Sequence, residues 1–272
     1  MSYEQFYGVP EQPFSNAADA RFFYESPMHS EAMVRILHGV NTMKGLVVMV
    51  GEMGAGKTLL ARKLLDRLQT DEYEAALLVI VHTEITADWF LRKVAVQLGV
   101  AEPADSKNVI LTQLYNRLME IYEHGRKAVV IIDEANMLQT KEIFEEMRGL
   151  LNLEVPGRKL MCLVLMGLPD LEKNLMLDPP LMQRTAVRFT LKALDPESTA
   201  NYIKHRLAVV GCTREIFPPL AAAAIYQYSK GIPRLINTIC DNCLLEGYLI
   251  KKEVIPPELV EQVAIDLGLK KL

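Results

Sequence analysis

Residues 50–58, "VGEMGAGKT", stand between an apolar run, "GLVVMV", and a helix-like stretch, "LLARKLLDRL". Gly51, four further residues and then Gly56-Lys57-Thr58 fit the spacing of a phosphate-binding loop, which needs a strand before it and a helix after it. The residue types carry the chemistry. Glycines at 51, 54 and 56 permit a tight turn without Cβ clashes, so backbone N–H groups can point inward at an anion. The helix that begins where the turn ends adds the positive end of its dipole. Lys57 is expected to reach the β- and γ-phosphates of a nucleotide, and the Thr58 hydroxyl to ligate Mg2+. Gly51, Gly54, Ala55, Gly56 and Leu59 complete the binding turn.

A second group of residues fits the same chemistry. "AVVIIDEAN", residues 128–136, is a buried-strand pattern that ends in two carboxylates. Such a pair is costly unless it meets a cation or water at the carboxyl edge of a sheet, where ligands of open parallel sheets bind. Asp133 is then expected to hold the Mg2+ hydration shell, and Glu134 to orient or deprotonate an attacking water. Phosphoryl transfer also needs positive charge on the γ-phosphate beyond one lysine and one cation. Arg184, just before the last strand-like run, and Arg234, after a Gly-Ile-Pro turn, stand where such a charge is useful. Taken singly, a solvated surface charge is the favoured reading of each.

The elements that must hold these residues are short apolar runs alternating with amphipathic stretches, the pattern of a parallel sheet with crossover helices. Strands are expected at 45–50, 76–82, 127–132, 159–166 and 186–190. Helices are expected at 57–69, 87–98, 109–124 and 140–153. After about residue 193 only helical patterns remain, at 195–211 with Asp195 as N-cap and Pro196 at the first position, then at 217–229, 233–249 and 256–267. The fold class is therefore α/β, a P-loop sheet flanked by helices and followed by a small all-helical lid. The division expected is 1–192, an N-terminal arm plus the α/β domain, and 193–272, the lid, with a hinge near "LKALDP". The aromatic and proline-rich "FYGVPEQPFS" reads as an extended arm packed on the core, covering a sheet edge or the base of a nucleotide.

Composition sets bounds on the function. The chain has 272 residues, half of them hydrophobic, and a net charge of -4, which gives no global pull toward nucleic acid or anionic membrane. The N-terminus does not read as a signal peptide, and every apolar run falls short of the ~18 residues of a membrane span, so a cytoplasmic protein is expected. Cys240 and Cys243 form a C-x-x-C inside a helical pattern and lack a second ligand pair, which favours buried thiols over a metal or redox site.

The phosphate loop and "VVIIDEAN" occur together with "FYGVPEQPF", "FFYESPMHSEAMVRILHGV", "LVLMGLPDL", "QRTAVRFTLKALDPESTANYIKHRL" and "GIPRLINTICDNCLLEGY". The set resembles the AAA+ ATPases of the general secretion pathway protein A (ExeA) type over nearly the whole chain. That resemblance implies ATP and Mg2+ as ligands, ATP hydrolysis, and a homo-oligomer, ring or filament, that serves a larger assembly of the envelope secretion, pilus or polysaccharide export kind. It also implies an arginine-finger role for Arg184 and a second-sensor role for Arg234. Leu168 departs from the polar residue, usually Gln, that the family carries there, so slow or partner-stimulated hydrolysis is expected. Full-length secretion members continue into a membrane span and a wall-binding domain, neither of which these residues contain. The rival reading is an ATP-dependent DNA-binding regulator similar to transposition ATPases, for which ATP-dependent DNA binding should fall steeply with salt. A small-molecule kinase would need an acceptor pocket and a lid with catalytic arginines instead of the "DE" strand end. Lys57→Ala is expected to abolish ATP binding in a direct titration, and unchanged affinity would refute the loop assignment.

Overall fold

Runs of Val, Ile, Leu and Met too continuous for a half-solvated sheet form the strands of the structure, a computed structural model that describes residues 2–17 and 19–271. In chain order the elements are α1 (Tyr3–Tyr7), α2 (Pro27–Asn41), β1 (Leu46–Gly51), α3 (Lys57–Arg67), β2 (Tyr73–Val79), α4 (Ala87–Gln97), α5 (Lys107–Glu123), β3 (Lys127–Asp133) and α6 (Lys141–Leu150). They continue with β4 (Glu154–Val155), β5 (Arg158–Lys159), β6 (Met161–Gly167), α7 (Asp170–Leu175), α8 (Pro179–Met182), β7 (Thr185–Leu191), α9 (Pro196–Val209), α10 (Pro219–Ser229), α11 (Pro233–Leu249) and α12 (Pro257–Asp266).

Two compact units result. One holds His29–Gly51 and Leu60–Leu191; the other holds the described residues up to Met28, Glu52–Leu59 and those from Lys192 onward. The first is the α/β unit. Its sheet runs β2-β3-β6-β1-β7, and all of its neighbouring strands pair in parallel. Every residue of β1 and β6 is buried, as is β3 after its first residue, whereas edge strands β2 and β7 alternate. Helices α4, α5 and α6 cover one face, with Phe90, Leu91, Leu114, Phe144 and Met147 packed on Val48, Val130, Ile132 and Leu165.

Differences from the expected elements have local causes. The second strand begins at Tyr73 instead of 76 and ends at Val79, because pairing with β3 sets its ends: Tyr73 is level with Lys127 and Val79 with Asp133. The apolar run overshoots the sheet and leaves Val81 exposed. The strand expected at 159–166 divides, since Arg158–Lys159 pairs antiparallel with Glu154–Val155 and β6 starts only at Met161.

The second unit is helical, with a core of Ile203, Leu207, Ile225, Ile236, Cys240, Leu244 and Val260. The N-terminal arm belongs to it, and the arm is not extended throughout. It opens with α1, closed at its start by a Ser2–Gln5 capping box and at its end by Gly8 in the left-handed region. Its aromatic residues fill the helical core, where Tyr7, Phe14 and Phe22 are buried. Tyr3 Oη donates to Asp241 at 2.6 Å, and Tyr7 Oη to the Lys252 carbonyl at 2.8 Å. Cys240 and Cys243 lie in this core on α11. Burial pushes the Cys243 thiol up to about 12, so the thiolate that metal or redox chemistry requires is disfavoured. Among the described residues no group of three or more His, Cys, Asp and Glu side chains could hold a metal. No helix among them is long and apolar enough to cross a membrane.

Arg206 of α9 ties the arm down. The side chain is buried and donates to the Pro13 and Ser15 carbonyls at 2.6 and 2.7 Å, with its guanidinium 4.3 Å from the centre of the Phe22 ring. Removing it strands two carbonyls and opens a void in one step. Arg206→Met should lower the stability of the protein by about 3 kcal/mol in a denaturant titration. A loss under about 1 kcal/mol would mean that the arm is held by its aromatic residues alone.

Candidate nucleotide site

In the helical unit the loop residues follow the turn that their types demand. Gly54 and Gly56 have φ of +77° and +99°, a region that a side chain strains to enter. The buried Ala55 closes the turn, its N–H donating to the Glu52 carbonyl at 3.2 Å. Lys57, Thr58 and Leu59 form the first turn of α3, so the positive end of the helix dipole faces the loop. Lys57 is buried to 5% exposure, and its Nζ donates to the Glu52 carbonyl at 2.9 Å, which folds the ammonium back over the loop. Thr58 is half-buried.

The same unit brings Arg234 to the loop. Its backbone N–H donates to the Gly54 carbonyl at 3.3 Å. A Cβ on Gly54 would stand only 2.6 Å from the Arg234 Cβ, so the absence of a side chain at 54 is what lets the start of α11 approach. The Arg234 side chain itself is exposed. The arginine expected from sequence as a second sensor is therefore a neighbour of the phosphate-loop glycines.

In the α/β unit, Asp133 is the last residue of β3 and has no solvent exposure. Its Oδ1 accepts the Glu134 N–H at 3.0 Å; its Oδ2 is buried and has no partner among the described residues. Glu134 follows in the left-handed region, φ +55° and ψ +35°, which turns the chain sharply out of the strand and leaves the carboxylate half-buried. Because the strands are parallel, β1 ends at Gly51 on the same edge of the sheet as β3 at Asp133, with β6 between them. This is the edge at which open parallel sheets bind ligands.

Arg184 lies at the other end. It immediately precedes β7, and Thr185 is level with Leu46, which across β6 is level with Val130. Stepping three strand spacings across and four residues along puts Arg184 on the order of 19 Å from Asp133 of the same chain, beyond the reach of one arginine side chain. The residue is exposed and its Nη1 donates to Asn152 Oδ1.

Three contributors went unnoticed in the sequence. The Glu52 carbonyl holds Lys57, and no side-chain motif marks it. Asn136 accepts the Leu168 N–H on its Oδ1 at 2.9 Å, tying the end of β6 to the turn after β3. Asn174 of α7 donates to the carbonyls of Asn136 and Leu138 at 2.9 and 3.0 Å. Asn136 was visible as the polar residue that closes "DEAN", whereas Asn174 gave no signal because only the packing of α7 brings it to the turn.

A family model described as an AAA domain matches residues 40–175, half of the chain. The chain is 34% identical over 251 residues to General secretion pathway protein A of Aeromonas hydrophila. That match takes in 90% of this chain and 45% of the relative, so the chain spans under half the length of the curated protein it resembles. Among solved structures it is similar to Cdc6p from Pyrobaculum aerophilum, with a TM-score of 0.69, 17% identity and coverage of 95% of this chain and 71% of that one. It is also similar to the Aeropyrum pernix ORC2 protein in its ADPNP-ADP complexes, with a TM-score of 0.67, 14% identity and coverage of 96% and 72%. At these identities the structural likeness is one of fold: a P-loop sheet flanked by helices, with a helical C-terminal region.

Proposed function

Because this chain belongs to the AAA+ family, and within it resembles the general secretion pathway protein A type, we propose that it binds and hydrolyses ATP with Mg2+ and works as an oligomer. The observation that carries this reading is the Asp133 carboxylate, wholly buried at the end of β3 with one oxygen unpartnered among the described residues. A hard divalent cation satisfies such an oxygen, and carboxylate and hydroxyl are its preferred ligand types, so Asp133 and Thr58 fit as the residues that hold Mg2+. When bound, Mg2+ supplies cancellation of charge on the β- and γ-phosphate oxygens. The loop's backbone N–H groups other than that of Ala55 cradle the phosphates, and Lys57 exchanges its carbonyl contact for them. Glu134 orients the attacking water and takes its proton. Arg234 adds positive charge from the start of α11. Leu168 brings no polar side chain to the end of β6, which suits a slow or partner-stimulated turnover.

Arg184 is too far from Asp133 of its own chain to act there, so in this reading it serves the site of an adjacent copy. That makes the active form a homo-oligomer. The likeness to a general secretion pathway protein supports a cytoplasmic role in driving or regulating assembly of an envelope machine, with a protein of that assembly as partner.

Glu134→Gln should bind ATP normally and hydrolyse it about 100-fold more slowly or worse, measured as phosphate release at saturating ATP. Normal turnover would remove Glu134 from the mechanism. Arg184→Ala and Lys57→Ala proteins, each inactive alone, should regain activity when mixed, since a mixed assembly contains sites with both an intact loop and an intact arginine. Absence of rescue at every ratio would remove the shared site.

A further inference from the structure

The sheet by itself gives Arg184 no fixed direction. β7 enters the ladder through an irregularity: Thr185 is level with Leu46 and Val187 with Val47, so Ala186 is one residue too many, and such a bulge re-aims the residues beside it. Ahead of Arg184 lies α8, only four residues long and opening with Pro179 and Pro180, which have no N–H to give. A helix this short does not hold itself.

Asp178, 2% exposed, holds it. Its Oδ1 accepts the Leu181 N–H at 3.0 Å, the first donor that α8 possesses, and its Oδ2 accepts Arg148 Nε of α6 at 2.9 Å. Arg184 itself closes the turn that Asp178 opens, its N–H donating to the Leu181 carbonyl at 2.9 Å. The other end of the arginine meets the same element. Its Nη1 donates to Asn152 Oδ1, and the Asn152 N–H bonds the Gly149 carbonyl at 3.1 Å on the last turn of α6. Backbone and guanidinium are thus both referred to one stretch of chain, residues 148–152. α6 follows the turn after β3 and is about 15 Å long, so it runs from the edge of the sheet with Asp133 toward the edge with Arg184.

We propose that Asp178, fixed by Arg148, and Asn152 are positioning residues that aim Arg184 at the site of an adjacent copy of this chain. This rests on the reading in which Arg184 serves that copy. The three residues act through Arg184 and not on the nucleotide. Misplacing such a group by about 1 Å can cost on the order of 100-fold in rate, and a buried carboxylate gripped from two elements removes that freedom. An ion pair of this kind returns little net stability over apolar packing, so what it supplies here is a fixed geometry.

The test measures phosphate release at saturating ATP and binding of Mg2+-ADP, on the full chain, in wild type, Asp178→Asn and Asn152→Ala. Asparagine keeps an oxygen for the Leu181 N–H and removes the buried charge together with its hold on Arg148. Asn152 is exposed, and alanine there releases the guanidinium alone. Each variant should turn over ATP about tenfold more slowly or worse while binding Mg2+-ADP within about twofold of wild type. Mixing then separates a misplaced arginine from a damaged site. Added Lys57→Ala chains, which bring an intact Arg184, should raise the turnover of either variant several-fold, whereas added Arg184→Ala chains should not. Should Asp178→Asn fail to fold, Asn152→Ala decides alone. Turnover within about twofold of wild type in both variants overturns the proposal. So does a loss that Lys57→Ala leaves in place while the same chains rescue Arg184→Ala, because the damage then lies in the variant's own site or fold. If Lys57→Ala rescues neither the variants nor Arg184→Ala, the shared site falls and the proposal with it, a result distinct from a shared site whose arginine needs no positioning.

Discussion

A carboxylate without solvent access and with one oxygen unpaired is a state that folded chains avoid, since desolvating a charge costs more than most single interactions return. Asp133 is in that state at the end of β3. The rest of the α/β unit is arranged around it. Val130, Ile131 and Ile132 bury the strand up to its last residue, and pairing with β2 on one side and β6 on the other leaves the backbone no freedom to lift the side chain out. Glu134 then takes a left-handed conformation that a β-carbon disfavours, and the chain turns away within one residue of the carboxylate. The structure holds a charge in place in advance of whatever neutralises it.

Parallel pairing turns that single position into an edge. All five strands of the sheet finish on the side of Asp133 and start on the side of Arg184, so the two charges are separated by the architecture, whatever rotamers they adopt. Asn136 and Asn174 stiffen the finishing edge. Between them they connect the turn after β3 to the end of β6 and to α7 by side-chain amides, which is how a loop keeps functional groups within a fraction of an ångström of one geometry.

The helical unit has its own organising contact. The start of α11 touches Gly54, and the body of α11 forms the core with α9, α10, α12 and the N-terminal arm. Asn237 of α11 donates to Asn16 Oδ1 of the arm at 3.1 Å, and Asn237 also receives the Tyr202 hydroxyl beside Arg206. A hydrogen-bonded series therefore runs from the arm to the helix that carries Arg234. The arm is thus part of the body that presents this arginine to the loop.

By itself the sequence determined the α/β class, the helical character after residue 193, the phosphate loop and the acidic strand end. These follow from patterns that are local in the chain: apolar runs buried on both faces, glycines at fixed spacing, two carboxylates after a strand. Strand ends were legible only to within about three residues, because pairing with neighbours decides where a strand stops, as at Tyr73–Val79. Tertiary structure alone decided that the arm joins the helical core, since that rests on Arg206 reaching carbonyls nearly 200 residues away in the chain. It alone decided that Arg184 and Asp133 occupy opposite edges, and that Asn136 and Asn174 tie the turn after β3 to β6 and α7. Each of these is a relation between residues distant in sequence, and periodicity, which reports only neighbours along one element, carries no record of it.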